Sequence, residues 1–503
     1  MIEGILIGLQ TALSLKNILM VVMGCFFGTI IGMLPGLGPM TAIALMIPIT
    51  YGFEPATGLI LMAGVYYGAV FGGSTSSILI NAPGVPGTVA TAFDGYPMAQ
   101  QGKAGKALAI AAYSSFAGGT ISAIFLLFAA PSLSKVSLAF RSPDYFALMV
   151  LGLTAVSAFS SKGQFLKAMM MVILGLMLAT VGQDSLSDIT RFTFNNMNLT
   201  DGISFVLVVM ATFAMSEALT IILKGKDPSR ATKQISLSQL GSIKLDKDER
   251  NKMLKSIPRS SVLGFLIGVL PGAGATIASF LAYGMERNYV NEDEKKKFGK
   301  GSVHGLAAPE TANNAACSGS FVPLLTLGIP GSGTTAVMLG ALFGFGIQPG
   351  PRLYMTNPEI FWSVIMSMYI GMVILLILNL PLIPYIARVL ATPRTFLIPL
   401  ILFFSVTGIY LMSFNNFDIF LMIGIAVIAT ILRLYDFPMP PLILAFVLGG
   451  LMEENLRRSL LISDGSWSFL WDRPLTLMIM ITILLIVGWQ AYKSFGIKFK
   501  KGV

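Results

Sequence analysis

Charged residues are scarce in this sequence. Asp, Glu, Lys and Arg make up 12% of its 503 residues, against roughly 25% in an ordinary water-soluble domain, and that shortage excludes a soluble surface of normal polarity. Histidine occurs once, at His304, which excludes multi-histidine zinc centres and leaves a single imidazole for any His-dependent catalysis. The two cysteines, Cys25 and Cys317, lie in apolar or Gly/Ser-rich context, so neither a disulfide framework nor a cysteine metal site is predicted. A GxxxxGK(S/T) phosphate loop is absent too, and with it the usual signature of ATP-driven work. Met1 to Leu15 lacks a basic n-region and an Ala-x-Ala-like cleavage site; it reads as a retained apolar helix or an interfacial arm, not a removable signal peptide.

What fills the chain instead is apolar. Hydrophobic residues reach 54% and the mean hydropathy is +0.77. Runs such as Phe361 to Leu380 and Leu475 to Gln490 approach the roughly 17 to 25 residues that cross a bilayer. The predicted fold is an all-α polytopic bundle. Spans are expected at 17–50 (broken at Pro35), 57–80, 107–130, 144–160, 165–182 and 203–223. A second set is expected at 260–284 (broken at Pro271), 303–328, 332–348, 359–387, 396–413, 418–433, 439–452 and 475–492, which gives about 10 to 14 membrane segments. The net charge of +10 does not point to nucleic acid, because the basic residues sit in short loops, one linker and the tail. Between Lys224 and Arg259 ten basic residues face four acidic ones, and by the positive-inside rule that linker is cytoplasmic. Lys493, Lys498, Lys500 and Lys501 put the C-terminal tail on the same side.

The chain also repeats itself. Gly32-Met33-Leu34-Pro35-Gly36-Leu37-Gly38 returns as Gly268-Val269-Leu270-Pro271-Gly272-Ala273-Gly274, and Val85-Pro86-Gly87-Thr88 as Ile329-Pro330-Gly331-Ser332. Weaker echoes pair Arg141-Ser142-Pro143 with Ala391-Thr392-Pro393. Repeats of this kind suggest two duplicated halves, 1–240 ending in the basic linker and 241–503 carrying an extra last span. Linker and tail share a side, so an even number of crossings separates them. Subtracting the unpaired last span leaves an odd number per repeat, and odd repeats in series are inverted.

Two stretches per half resist ordinary membrane helix. Pro35-Gly36 and Pro271-Gly272 remove donors and loosen the backbone inside apolar segments. Such breaks are tolerated at membrane depth where protein or a wet cavity satisfies the freed groups. The second stretch is polar: Ser74, Thr75, Ser76 and Ser77, then Asn81, Pro86, Gly87 and Thr88, matched by Asn313, Asn314, Ser318, Ser320, Thr326, Pro330, Gly331, Ser332, Thr334 and Thr335. Hydroxyls, amides and freed N–H groups at helix tips can hold an anion without permanent charge. Small residues also pack membrane helices closely, and that plainer reading stands beside the first for any single Ser or Thr. Asp94, Glu217, Glu310, Glu453 and Glu454 are the acids nearest apolar segments, with Asp94 and Glu310, which flank the Gly/Pro loops, the candidate charged contributors; each fits a water-exposed helix end equally well. Glu453-Glu454 before Arg457-Arg458 reads as an i,i+4 ion-paired terminus, and His304, after the charged 292–297 loop, as solvent-facing. No cofactor or side-chain metal cluster is predicted, and Na⁺ and H⁺ coupling both stay open.

Several of these motifs are shared with a known family. Ile80-Asn81-Ala82-Pro83-Gly84-Val85-Pro86-Gly87-Thr88, with Phe93-Asp94-Gly95-Tyr96-Pro97-Met98-Ala99 and Gly105-Lys106-Ala107-Leu108, resembles the N-terminal signature of the large membrane subunit of the tripartite tricarboxylate transporter family. Ala307-Ala308-Pro309-Glu310-Thr311-Ala312-Asn313-Asn314-Ala315, Leu327 to Val337, and Gln348-Pro349-Gly350-Pro351 resemble its second signature. The resemblance covers nearly the whole chain. It implies a bacterial inner-membrane permease driven by an ion gradient. It also implies a periplasmic solute-binding protein that delivers a carboxylate such as citrate, and a small membrane subunit as further partner. By the same resemblance, the loops Ser74–Thr88 and Asn313–Thr335 form the substrate and cation site. Two other readings fit the same residues: a passive channel or stand-alone carrier, and an intramembrane hydrolase using Ser318 or Ser320, which would need a base within reach.

Overall fold

The computed structural model describes residues 2–34, 36–137, 139–158, 164–184, 187–224, 241–272, 274–386 and 394–500. Pro35 and Ala273 lie outside the described residues. So do Lys226, Asp227, Arg230 and Lys233 of the basic linker, the Ala391-Thr392-Pro393 echo, and Lys501. The described residues are almost wholly helical. The first half holds α1 (Ile2–Ala12), α2 (Leu15–Met33), α3 (Gly38–Thr50), α4 (Pro55–Ile80), α5 (Val89–Met98), α6 (Ala104–Ser137), α7 (Ser142–Ala158) and α8 (Phe165–Ala179). A two-stranded ribbon, β1 (Gly182–Gln183) antiparallel to β2 (Thr190–Arg191), precedes α9 (Phe205–Val209) and α10 (Ser216–Lys224), which are joined by one π-helical turn at Met210–Met215. After the linker come α11 (Lys247–Val269), α12 (Gly274–Tyr289), α13 (Glu292–Lys295), α14 (Val303–Gly319), α15 (Phe321–Leu327), α16 (Gly333–Gly344), α17 (Leu353–Thr356) and α18 (Pro358–Asn379). The chain closes with α19 (Ile383–Ile386), α20 (Arg394–Ser413), α21 (Asn416–Leu434), α22 (Pro440–Ile462) and α23 (Pro474–Lys500).

Among the described residues, six helical runs are long and apolar enough to cross a bilayer, and further apolar helices are shorter. At the centre stands α4, buried on every side from Ala56 to Leu79; a helix apolar all round belongs in the core. Polar ties define the two ends of the bundle. One end, next to the linker, holds Lys106 with Glu249 (2.8 Å), Arg259 with Glu286 (2.7 Å), and the Gln490 amide donating to the Ala158 carbonyl (2.8 Å). The far end holds Arg457 with Asp184 (3.0 Å), Arg473 with Asp144 (2.8 Å), and Lys16 with Glu54 (3.6 Å). The broken pair α2–α3 therefore opens toward the far end, where Lys16 and Glu54 meet. Its counterpart α11–α12 opens toward the linker end, where Arg259 and Glu286 meet.

Glycine sets the spacing of both halves. A Cβ on Gly28 or Gly32 would lie 2.3 or 2.1 Å from the carbonyl oxygens of Val65 and Ala69, so α2 and α4 touch backbone to backbone. Gly264 and Gly268 press α11 against Ala312 and Ala316 of α14 in the same way, at 2.4 and 2.3 Å. Without side chains at the crossing, dispersion contacts between the backbones hold each pair together. This shared crossing also corrects the register of the repeat. Asn81 (φ 52°) and Gly328 (φ 70°) both end their helices in the left-handed region. Gly84 then packs on Gly73 and the Gly32 carbonyl, as Gly331 packs on Ser320 and the Gly268 carbonyl. Pro83-Gly84 thus corresponds to Pro330-Gly331, three residues away from the pairing of Val85-Pro86-Gly87 suggested by sequence. The first loop carries two Pro-Gly steps and the second one; the glycine that must fit against the crossing helix decides which of them matches.

Candidate functional site

Four helices start at the breaks: α3 at Gly38, α5 just after the 3₁₀ turn Pro86–Thr88, α12 at Gly274 and α16 at Gly333. Their tips form one connected cluster. A Cβ on Gly38 would lie 4.0 Å from the Gly84 carbonyl, and one on Gly274 4.0 Å from the Ser332 Cβ. The halves touch where Gly333 meets Met40, where Tyr66 and Ser332 share a hydrogen bond (3.3 Å), and where Gly87 meets Asn313 and Ala275. Inside the second half the two breaks are tied directly, the Gly272 N–H donating to the Gly331 carbonyl (3.0 Å). Pro271 precedes this tie, and Gly36 (φ 99°) stands at the matching place in the first half, beside Glu217. Each helix N-terminus brings unpaired N–H groups and a partial positive charge, so the cluster is suited to a small anion.

The predicted residues divide sharply once placed. Ser74 to Ser77 and Asn313 to Ser318 lie within helices α4 and α14, not in loops; continuous helix is kept because buried hydroxyls can bond back to the preceding turn. Ser76 donates to the Gly73 carbonyl (3.1 Å), Ser320 to Cys317 (2.7 Å) and Thr326 to Val322 (2.7 Å), which fits the packing reading of those three. Ser77 donates to the Thr88 hydroxyl (2.8 Å), which donates in turn to the Val85 carbonyl (2.9 Å), and so pins the end of the first loop to α4. Ser318 shares a hydrogen bond with Tyr67 (2.7 Å). Ser332 and Thr335 cap α16 reciprocally. Thr75 and Thr334 are buried, while Asn81 and Pro86 are exposed at the tip. Asn314 donates to the Glu310 carbonyl (3.1 Å) and leaves its oxygen without a partner among the described residues. Asn313 is fully buried, and neither of its amide atoms is hydrogen-bonded among the described residues. It faces Gly87, whose Cβ would lie 2.7 Å from its oxygen. An unsatisfied buried amide where the first loop meets α14 is a polar group that a ligand's oxygen or N–H could satisfy.

The acids behave differently from the expectation of water-exposed helix ends. Asp94 is fully buried and accepts from the N–H groups of Gly301 (2.9 Å) and Ser302 (2.7 Å), fastening α5 to the start of α14. Glu310 is fully buried on α14 and accepts from Ser74 of α4 (2.8 Å), Ser115 of α6 (2.8 Å) and Thr91 of α5. Both are drawn inward because hydrogen-bond donors from neighbouring helices replace water. His304 is likewise buried, not solvent-facing: its Nδ1 lies 2.8 Å from the Ser256 hydroxyl and 3.0 Å from Glu286. The first turn of α14 tucks beneath the α11–α12 hairpin, and Arg259 supplies the charge that Glu286 needs there. Serine and carboxylate share one imidazole nitrogen, so this trio is not a nucleophile–base–orienter relay. Ser318 and Ser320 are engaged elsewhere.

Some groups were invisible in the sequence. Arg433 of α21 bonds Glu217 and the Thr212 carbonyl (2.9 Å) freed by the π-helical turn, at the edge of an open cavity of about 250 Å³ that also reaches Gln164 and Lys224. A π-turn near apolar residues has no local sequence mark. Glu453 and Glu454 pair with Arg457 and Arg458 at i,i+4 as predicted, and the first pair extends to Arg191 and Asp184.

A family model described as the tripartite tricarboxylate transporter TctA family matches residues 18–444. The chain belongs to that family. A protein of Agrobacterium vitis described as an uncharacterized 52.8 kDa protein in the TAR-I ttuC' 3' region is 41% identical over 487 residues, 97% of this chain and 95% of that protein. Another from the same organism, described as an uncharacterized protein in the TAR-II ttuC' 3' region, is 42% identical over 212 residues, 42% of this chain and 87% of that protein. The TctA match spans all four breaks and ends inside α22, so α23 falls beyond it. As a TctA-family member the chain is a multi-pass membrane protein of a transporter family, not an enzyme.

Proposed function

We propose that this chain is the permease subunit of a binding-protein-dependent secondary transporter. It imports a tricarboxylate or another small carboxylate across the bacterial inner membrane, driven by an ion gradient. A periplasmic solute-binding protein and a small membrane subunit complete the system. The observation that carries this reading is the cluster of four helix N-termini around the Asn313 amide, unsatisfied among the described residues: carboxylate oxygens can be met there by N–H dipoles and amide donors. Ser332, Thr334 and Gly87 line the tips of the same cluster and would complete the contacts.

The test is uptake of labelled carboxylates into vesicles holding the chain with its two partners, with and without Na⁺ and pH gradients. A coupled carrier concentrates solute until the gradient collapses. A passive channel, the rival reading, gives flux that only follows the solute's own gradient. Uptake indifferent to both the ion gradients and the binding protein would sink the proposal.

A further inference from the structure

Resting on that permease reading, we propose that Glu310 is the site that takes up and releases the coupling proton. Its carboxyl group is fully buried, and it is held by hydroxyls from three other helices: Ser74 on α4, Thr91 on α5 and Ser115 on α6. No Lys, Arg or His pairs with it among the described residues. The charged and titratable groups of the surrounding helices are engaged elsewhere or uncharged: Asp94 of α5 with the α14 N-terminus, Lys106 of α6 with Glu249, Arg259 of α11 with Glu286 of α12, and Tyr66 of α4 with Ser332. Cys317, two turns along α14, is a buried thiol. A lone carboxylate in such a place lacks the compensation that buried charge requires, and intramembrane acids of this kind are where transporters carry protons.

The geometry favours a proton over a metal cation. Ser74 and Ser115 lie 2.8 Å from the carboxylate oxygen, so their hydrogens fill the space between the oxygens. A Na⁺ ion would have to part all of these contacts, whereas a proton needs only one hydroxyl to turn: Ser74 can swing its hydrogen to the Val70 carbonyl (3.2 Å). The new carboxyl O–H then donates to a lone pair of the Ser74 oxygen, while Ser115 and Thr91 go on donating. A small cavity of about 10 Å³ borders Ser74, Thr75, Ser115 and Asn379, room for about one water, and Asn379 closes α18 with an unpartnered amide oxygen. That cavity gives the proton an approach to the carboxylate.

The position also explains coupling. Glu310 lies one turn before Asn313, and its Thr91 contact holds α5, the helix that springs from the first loop. Loss of the negative charge relaxes the pull on Thr91, and the loop tip at Gly87 moves relative to the Asn313 amide. Proton and solute thereby sense one another through α14 and α5.

The experiment combines two readouts on the full chain. Infrared difference spectroscopy of purified wild type and Glu310→Gln across pH 5 to 9 follows the carbonyl stretch of a protonated buried carboxyl. The expected result is a band that titrates in wild type and is missing in the variant; a wild type without such a band overturns the proposal. In vesicles with both partners, Glu310→Gln should lose at least tenfold of the pH-gradient-driven uptake yet keep solute counterflow, and Glu310→Asp should restore part of the drive. Full pH-driven uptake in Glu310→Gln, or wild-type uptake driven by Na⁺ alone, overturns it as well. If wild type moves no carboxylate under any gradient, the permease reading fails, while the infrared titration still decides whether Glu310 carries a proton.

Discussion

A buried amide that bonds to nothing costs about 1–3 kcal/mol compared with an apolar group of the same shape, which makes Asn313 the position where stability and function should part. Asn313→Leu is expected to keep or raise the melting temperature of the detergent-solubilised protein. Carboxylate uptake should fall at least about tenfold, since one good hydrogen bond to a charged group is worth roughly 1.5–3 kcal/mol. Retained uptake with raised stability would return Asn313 to packing. Ser320→Ala supplies the contrast: its hydroxyl bonds to the Cys317 carbonyl of its own helix, so uptake should change less than about twofold, with a stability loss under about 1 kcal/mol. Sequence pattern could name both residues but could not separate them. Hydroxyls and amides look alike in a run of letters; which are spent on their own backbone depends on where the helix stops, and α14 continues through Asn313 to Gly319.

Helix breaks were legible as elements because proline and glycine act locally, through a missing donor and a missing Cβ. Their partners were not. Gly84 and Gly331 are needed because another helix's carbonyl lies against each of them: a Cβ would stand 1.8 Å from the Gly32 oxygen in one case and 2.9 Å from the Gly268 oxygen in the other. Gly84→Ala should therefore cost about 1–3 kcal/mol or more by overpacking, seen as a lower melting temperature and reduced yield in membranes, and Gly331→Ala should cost less. Gly450→Ala, at a helical site with open space around it, should be neutral or stabilising. Equal effects at Gly84 and Gly450 would contradict the close crossing of α2, α4 and the first loop. At the linker end, the element-level tie is electrostatic. Burial works to raise the Glu294 pKa, but hydrogen bonds from Lys297 (2.7 Å) and Lys252 (3.0 Å) outweigh it and hold the carboxyl below its ordinary range. The unfolded chain then binds the proton more tightly, so the stabilisation is complete above about pH 4.3 and drains away as pH falls through the lower, folded value. The melting temperatures of wild type and Glu294→Gln should differ at pH 7 and draw together as pH falls below about 4.3; a gap that is constant with pH would contradict this.

Across the whole molecule, charge counts and crossings predict inverted halves, and the ties at the two ends of the bundle make that arrangement testable residue by residue. Asp184 and Arg191 bind Glu453 and Arg457 at the end of α22, one span away from the linker, and α23 then runs back. Linker and tail should share a face, and the ribbon, with the 3₁₀ turn Met197–Leu199 that follows it, should lie on the other. The α2–α3 hairpin should open with Met197 and the α11–α12 hairpin with the linker. Single cysteines can report this cleanly, because the native Cys25 and Cys317 are both buried and should stay silent. Ser242→Cys, Asp293→Cys and Lys498→Cys should react with a membrane-impermeant maleimide from the cytoplasmic side, in inverted vesicles. Met197→Cys and Glu54→Cys should react from outside, in right-side-out vesicles. If Glu54→Cys and Asp293→Cys label from one face, the two hairpins enter from the same side and the inverted arrangement is wrong. Opposite labelling would give each half its own approach to the shared cluster around Asn313, as alternating access about a fixed site requires.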